Sequence, residues 1–396
     1  MKKLLVSLLA SSVMLVACGQ AVQEEGKEFE KTDDVAIESV NDQSSQENKA
    51  TNKSAEDTTE SSAEDLNDKS EAVNELEQWL PKTPNVERIY AGEGNEYAEF
   101  STYPQFITED SIQFKNQNPG IISYHIYEYR EDRIVETFTH HGGLMRDDFA
   151  NTAKTSDSEG EEIILKTPIE VGTQWEDRDG QSVEITATDL ELAAPNGTVP
   201  GIEVTTTTID QDGHEGKIYR YYGKDIGLVK EVTKLSSDAE MTVTSTLTEY
   251  KPDTVEKIPF TLYALDYETL DQAIEIETEL ELKTNDPIRL ALTDKLKEEL
   301  DSEVTNLLPN DATINFMYLD DNNVVHVDFS EELATNMQAG ASGESEILQR
   351  IVDTIANLYH AEAVNLSLDG GAYDKGGHVH IDKDQLLYPT HGPMAQ

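Results

Sequence analysis

The chain has 396 residues, with 79 Asp or Glu against 30 Lys or Arg and a formal net charge of −49. That balance excludes nucleic acid as a partner, since phosphate binding needs clustered cations, and it excludes adhesion to anionic lipid through a basic patch. One cysteine excludes disulfide staples, so the folded parts must rest on hydrophobic cores, and the length suits two or three domains.

Lys2 and Lys3 precede an apolar run of 13 positions, Leu4 to Val16, broken only by Ser7, Ser11 and Ser12. Leu15-Val16-Ala17-Cys18-Gly19 then resembles a bacterial lipobox. The resemblance implies that residues 1–17 are a signal peptide cut before Cys18. The Cys18 thiol would then carry a diacylglyceryl group and the new amino terminus a fatty acid such as palmitate. An uncleaved span is the rival reading, but it needs about 20 apolar residues.

Residues 18–70 are expected to form a disordered acidic tether. From Asn41 to Ser70 only four of 30 residues are apolar and none is aromatic, too little to offset the entropy of ordering. A coil from Gly19 to Ser70 would reach about 40 Å. A short helix is expected within 71–84, because Ala72, Val73, Leu76, Trp79 and Leu80 make one apolar stripe. Ser70 is placed to cap it, and Pro81 and Pro84 to stop it.

Residues 85–252 read as β. Ile121–Tyr129, Val183–Ala187, Ile202–Thr206, Ile218–Tyr222 and Met241–Leu247 alternate or are β-branched. Asp179-Gly180, Asn196-Gly197 and Asp212-Gly213 mark turns between such runs. The expectation is an all-β domain: an antiparallel sheet, a sandwich or a barrel. Two phrases, Pro168–Trp175 and Tyr221–Lys230, resemble signatures of a β-rich extracytoplasmic domain of bacterial lipoproteins.

Beyond Lys251-Pro252 the pattern becomes β-β-α-β-β-α-β, a small two-layer α+β domain. Strands are expected at Phe260–Leu265, Ile274–Leu282, Thr313–Leu319, Val324–Phe329 and Ala363–Leu368. Ile288, Leu292, Leu296 and Leu300 line one helix, with Asp286 as cap and Pro287 at its first position. Ile347, Leu348, Ile351, Val352, Ile355 and Ala356 line a second, capped by Ser342, with Glu344 and Glu346 near its positive end.

Asn323–Ser330, Ala339–Glu344 and Val364–Gly370 resemble, in that order, three motifs of the GerM domain, and the similarity spans residues 257–382. The resemblance implies a fold of the ring-building type found around the secretion channel of sporulating bacteria, an envelope location, and no established catalysis. This chain departs from the name-giving member in carrying one copy behind a β domain. Residues 383–396 read as a flexible tail.

No residue is nominated for catalysis, a metal or a cofactor. Gly340-Ala-Ser342-Gly-Glu344 misses the G-x-S-x-G pattern at its last place. His378-Val-His380 puts two imidazoles on one face of an expected strand, as wall-cutting zinc peptidases do, but a third ligand is wanting, and His140-His141 lie in the other domain. Asp210–Glu215 lacks EF-hand spacing and reads as a hairpin turn. Trp175 and Tyr124, Tyr127, Tyr129, Tyr221 and Tyr222 suit a core better than a ligand cleft.

The function read from the sequence is therefore a non-enzymatic, lipid-anchored envelope protein on the outer face of the membrane. Its expected partners are the membrane, through the lipid on Cys18, and peptidoglycan or envelope proteins in wall or sporulation-type assemblies. Self-association into a homo-oligomer stays open. The alternatives are a ligand-binding lipoprotein with a pocket in the β domain, or a zinc-dependent wall hydrolase using His378 and His380.

Overall fold

The computed structural model describes residues 75–143, 146–147, 155–210, 213–234, 242–266, 272–298 and 304–391. The leader, Cys18 and the tether lie outside the described residues. The first described element is helical, residues 75–79 (α1). Leu76 is fully buried there, with Trp79 and Leu80 against the same cluster.

Twelve antiparallel strands follow: β1 (Glu87–Glu93), β2 (Phe100–Ile107), β3 (Ser111–Gln117), β4 (Ile122–Tyr129), β5 (Arg133–His141), β6 (Glu162–Lys166), β7 (Gln174–Glu176), β8 (Ser182–Ala194), β9 (Gly197–Ile209), β10 (Glu215–Gly223), β11 (Gly227–Lys234) and β12 (Thr242–Lys251). They form one sheet in the order β6-β5-β4-β3-β2-β1-β12-β11-β10-β9-β8-β7. Its two end strands come back together. Trp175 Nε1 on β7 donates to Ile163 O on β6 at 3.0 Å, and Arg178 N to Glu162 Oε2 at 2.8 Å. The sheet is thus nearly closed, which leaves few exposed edges.

Alternation along the strands decides what fills it. Tyr129, Ile134, Leu165, Trp175, Val183, Ile185, Ile202, Val204 and Tyr222 share the cluster that receives Leu76. Tyr129 Oη donates to Leu80 O at 2.6 Å, fixing α1 to it. Tyr124, Ile126 and Phe138 belong instead to a second cluster, shared with the C-terminal part of the chain.

That part comprises β13 (Glu256–Asp266), β14 (Ala273–Leu282), α2 (Ile288–Lys297), β15 (Val304–Thr305), β16 (Ile314–Leu319), β17 (Val324–Phe329), α3 (Glu332–Thr335), α4 (Ala341–Tyr359), β18 (Ala363–Leu368) and β19 (Leu386–Leu387). It has a three-stranded sheet, β14-β13-β15, and a four-stranded one, β16-β17-β18-β19, in which β17 and β18 are parallel. Helix α4 joins that parallel pair and also lies along β13. Asn357 Oδ1 accepts from Thr261 N at 2.7 Å and Thr354 Oγ1 from Tyr263 N at 3.0 Å, so helix side chains occupy strand donors that no ladder uses. The expected apolar faces of both helices are buried: Ile288, Leu292 and Leu296 on α2, and Ile347 through Ala356 on α4. Leu300 lies outside the described residues.

Both expected caps are corrected. Helix α2 has Pro287 at its N-cap, and Asp286 Oδ2 accepts from Lys283 N at 2.8 Å, closing the turn before the helix. Helix α4 has Gly340 at its N-cap, which places Ser342 inside the first turn without a capping bond.

A buried polar knot joins the large sheet to this part. Glu256, at the start of β13, receives Lys115 Nζ of β3 at 2.6 Å and Gln105 Nε2 of β2 at 3.2 Å, and Arg146 NH1 as a third donor. Beside it Asn285 behaves as a substitute strand residue: its N–H donates to Gln105 O at 2.9 Å, and its amide brackets Ile107 at 2.7 and 3.1 Å. Asn85 and Thr284 bond each other reciprocally, both at 2.8 Å.

Two substitutions test this packing by chemical denaturation. Ile351→Ala should cost about 2–5 kcal/mol, because Ile351 is fully buried between helix and sheets. Glu256→Gln should cost roughly 3–5 kcal/mol by leaving Lys115 and Arg146 buried without an anion. A loss under about 1 kcal/mol in either variant would contradict the assigned packing.

Candidate functional site

Two polar clusters and a cleft among the described residues have features of a functional site. The first cluster arises because Ser123 and His125, two residues apart on β4, point to one face. His125 Nε2 lies 2.9 Å from Ser123 Oγ, and His125 Nδ1 2.8 Å from Glu136 Oε2 on β5. The connectivity is that of a serine nucleophile, its base and an orienting acid. The surroundings differ from a reactive site. All three residues are buried, and β4 is paired along both sides, by β3 and β5, so its N–H groups serve ladders rather than an oxyanion. Glu136 also accepts from Thr139 Oγ1 at 2.8 Å and Arg178 NH2 at 2.7 Å. Burial alone would raise the Glu136 carboxyl. The bond and charge of His125, with Thr139 and Arg178, outweigh it and hold the group below the usual carboxylate range. The cluster works as a buried interior network that clips β4 and β5 to the segment after β7.

The second cluster centres on Glu344 in the first turn of α4. Its carboxylate accepts from Tyr373 Oη at 2.8 Å, His378 N at 2.6 Å and His378 Nδ1 at 3.0 Å. Burial pushes Glu344 up, but these bonds, the His378 backbone first among them, bring it below its ordinary value. Gly377 must lack a side chain, because a Cβ there would lie 2.1 Å from Glu344 Oε1. Glu344 therefore fastens the loop after β18 to the helix.

Other residues singled out in the sequence fall as follows. His378 and His380 lie on a loop, not the expected strand, and they diverge: His378 faces Glu344 and His380 Nε2 faces Asp382 at 3.0 Å. Among the described residues no three His, Cys, Asp or Glu side chains converge as a metal ion requires. His140 and His141 both approach Asp157 at 3.3 Å. Asp210 Oδ1 accepts from His214 N at 2.8 Å, closing a turn, while Asp212 lies outside the described residues. Trp175, Tyr124, Tyr129 and Tyr222 are buried, and Tyr127 and Tyr221 partly so. The Asp and Ser of the Asn323–Ser330 segment are structural. Asp328 accepts from Ser367 Oγ and Gly370 N at 2.5 and 2.7 Å, and Ser330 Oγ accepts from Thr313 N at 3.0 Å.

The cleft was not foreseen. It has a volume of about 480 Å³ and opens where β2 meets α2 and β16, with Phe106, Arg146, Arg289 and Phe316 among its walls. Arg146, in one wall, is bonded to Glu256 in the knot. Arg289 NH1 donates to Ile314 O at 3.2 Å. Phe316 and Tyr318, 44% and 37% exposed, lie side by side on β16 with ring centroids 6.3 Å apart. Tyr318 stacks on His326 at 4.9 Å.

Residues 261–374 match the Germane family model, whose description is sporulation and spore germination. The chain therefore carries a GerM-like domain, as its three motifs led one to expect, behind a nearly closed β sheet. The tandem GerM domains of the Bacillus subtilis sporulation protein GerM share 20% identity over 32% of this chain and 46% of that one, with a TM-score of 0.24. A Clostridium perfringens protein described as a lipoprotein shares 15% identity over 34% of this chain and 87% of that one, with a TM-score of 0.22. A Bacteroides fragilis protein described as exported, with a YmcC-like fold, shares 11% over 43% and 97%, with a TM-score of 0.27. No curated protein matches the chain.

Glu136, Glu256 and Glu344 are all held below their ordinary range in the folded state. A carboxylate depressed by folding contributes stability above its unfolded pKa of about 4.3 and loses it as pH falls through the folded value. The melting temperature should stay level from neutral pH to about pH 5 and drop below about pH 4. Glu136→Gln should cost about 3 kcal/mol or more at pH 7, while Ser123→Ala should cost less than about 1.5. Equal losses would contradict the assigned network.

Proposed function

We propose that the chain is a lipid-anchored protein of the outer membrane face that binds peptidoglycan or envelope partners and performs no chemistry on them. The observation that carries this reading is the cleft at the junction of a GerM-like domain with the large sheet. The anchor rests on the leader that ends at Cys18. A binding role is supported by the fate of the reactive side chains, which are consumed in closed structural networks. A ligand pocket inside the β sheet fits less well, because Leu76, Tyr129, Trp175 and Tyr222 fill that interior. No helix among the described residues is long and apolar enough to cross a membrane.

Two measurements test the proposal. Cys18→Ala should leave the precursor uncut and unlabelled by a fatty-acid tracer, and continued labelling would contradict the anchor. The full chain should sediment with purified sacculi without releasing soluble fragments. Release of sugar or stem peptide would make it an enzyme instead.

A further inference from the structure

The cleft has chemistry of its own, and its ligand can be narrowed if the wall-binding reading above holds. Arg289 and Arg88 are the arginines without a carboxylate partner among the described residues. Arg88 is buried, bonded to Ile226 O and set against the Tyr250 ring. Arg289 is partly exposed at the cleft and spends one N–H on Ile314 O. The rest of its planar fork is open to a carboxylate. In a chain with 79 acidic residues, an accessible guanidinium left without an acid among the described residues offers an anion a local foothold.

Phe316 continues from the cleft wall to Tyr318 and His326 as a ledge of three rings. Aromatic faces carry the negative part of the ring quadrupole and attract C–H groups, as on the flat side of a pyranose. The free edge of β16 is engaged at both ends. Its first residue is closed by Ile314 N donating to Thr293 Oγ1 at 3.2 Å, and its last lies 3.5 Å from Asp147 Oδ2 at Leu319 N. Cation and ledge side by side, with both ends of the strand edge engaged, suit a ligand that is part sugar and part acidic peptide.

We infer that the cleft binds an anionic glycopeptide of the cell wall, with a stem-peptide carboxylate on Arg289 and a sugar ring on Phe316 and Tyr318. Calorimetric titration of the detergent-solubilised full chain tests this with three probes: a disaccharide-tetrapeptide muropeptide, the free tetrapeptide and chitotetraose. The muropeptide should bind most tightly. Arg289→Ala should weaken it at least about tenfold, the scale of one charge-assisted pair. Arg289→Lys, which keeps the charge and loses the fork, should fall between. Tyr318→Ala should weaken the muropeptide and chitotetraose but not the tetrapeptide, with unchanged melting in each variant. If wild type sediments with sacculi while Arg289→Ala and Tyr318→Ala bind muropeptide as well as it does, this site is wrong and wall binding stands. If wild type sediments with sacculi but binds no muropeptide, the ligand is wrong. If wild type does not sediment with sacculi, the underlying reading falls with it.

Discussion

The carboxylate of Glu256 is the point on which the arrangement of the molecule depends. It is buried at the start of β13, where an isolated carboxylate would be untenable, and Lys115 and Gln105 of the large sheet converge on it with Arg146 from the segment after β5. Burial acts to raise its pKa, and the two cations together outweigh that and keep it ionised. Such a knot adds little net stability against an apolar replacement of the same volume, but it is intolerant of losing one member. Its value lies in register: this placement of β13 brings Glu256 within reach of all three donors. Asn285 and the Asn85–Thr284 pair repeat that demand nearby.

One rigid placement has a functional consequence. A cleft walled by two modules keeps its shape only if the modules do not move, and preorganisation limits the ordering cost of binding. The buried networks at Glu136 and Glu344 serve the same end on each side. One stitches β4 and β5 to the segment after β7, and the other fastens the loop carrying His378 to α4. Groups that look reactive in isolation are thus spent on rigidity, while Arg289 and the Phe316–Tyr318 ledge stay accessible.

Much of the fold was legible in the sequence because it is written locally. Alternation gave the strands, with Val324–Phe329 and Ala363–Leu368 found to the residue, and the apolar stripes on α2 and α4 marked their buried faces. Near closure of the sheet was not legible, since it depends on β6 meeting β7 after all the other strands are laid down. Helix caps were misplaced because Asp286 and Ser342 are sound caps by type, yet Asp286 bonds Lys283 and the backbone of Gly340 begins α4. The Ser123–His125–Glu136 chain was hidden because its acid comes from another strand. Glu256 was hidden as one acid among 79. Arg289 carried no signal at all, since the want of a carboxylate partner among the described residues shows only in three dimensions.

The central claim is that the large sheet and the GerM-like domain behave as one cooperative body, held in register by the Glu256 knot. Scanning calorimetry of the full chain tests it directly. The account predicts a single transition with matching calorimetric and van't Hoff enthalpies, which splits in two when Glu256 is replaced by Gln. Two independent transitions in the wild-type protein would contradict it.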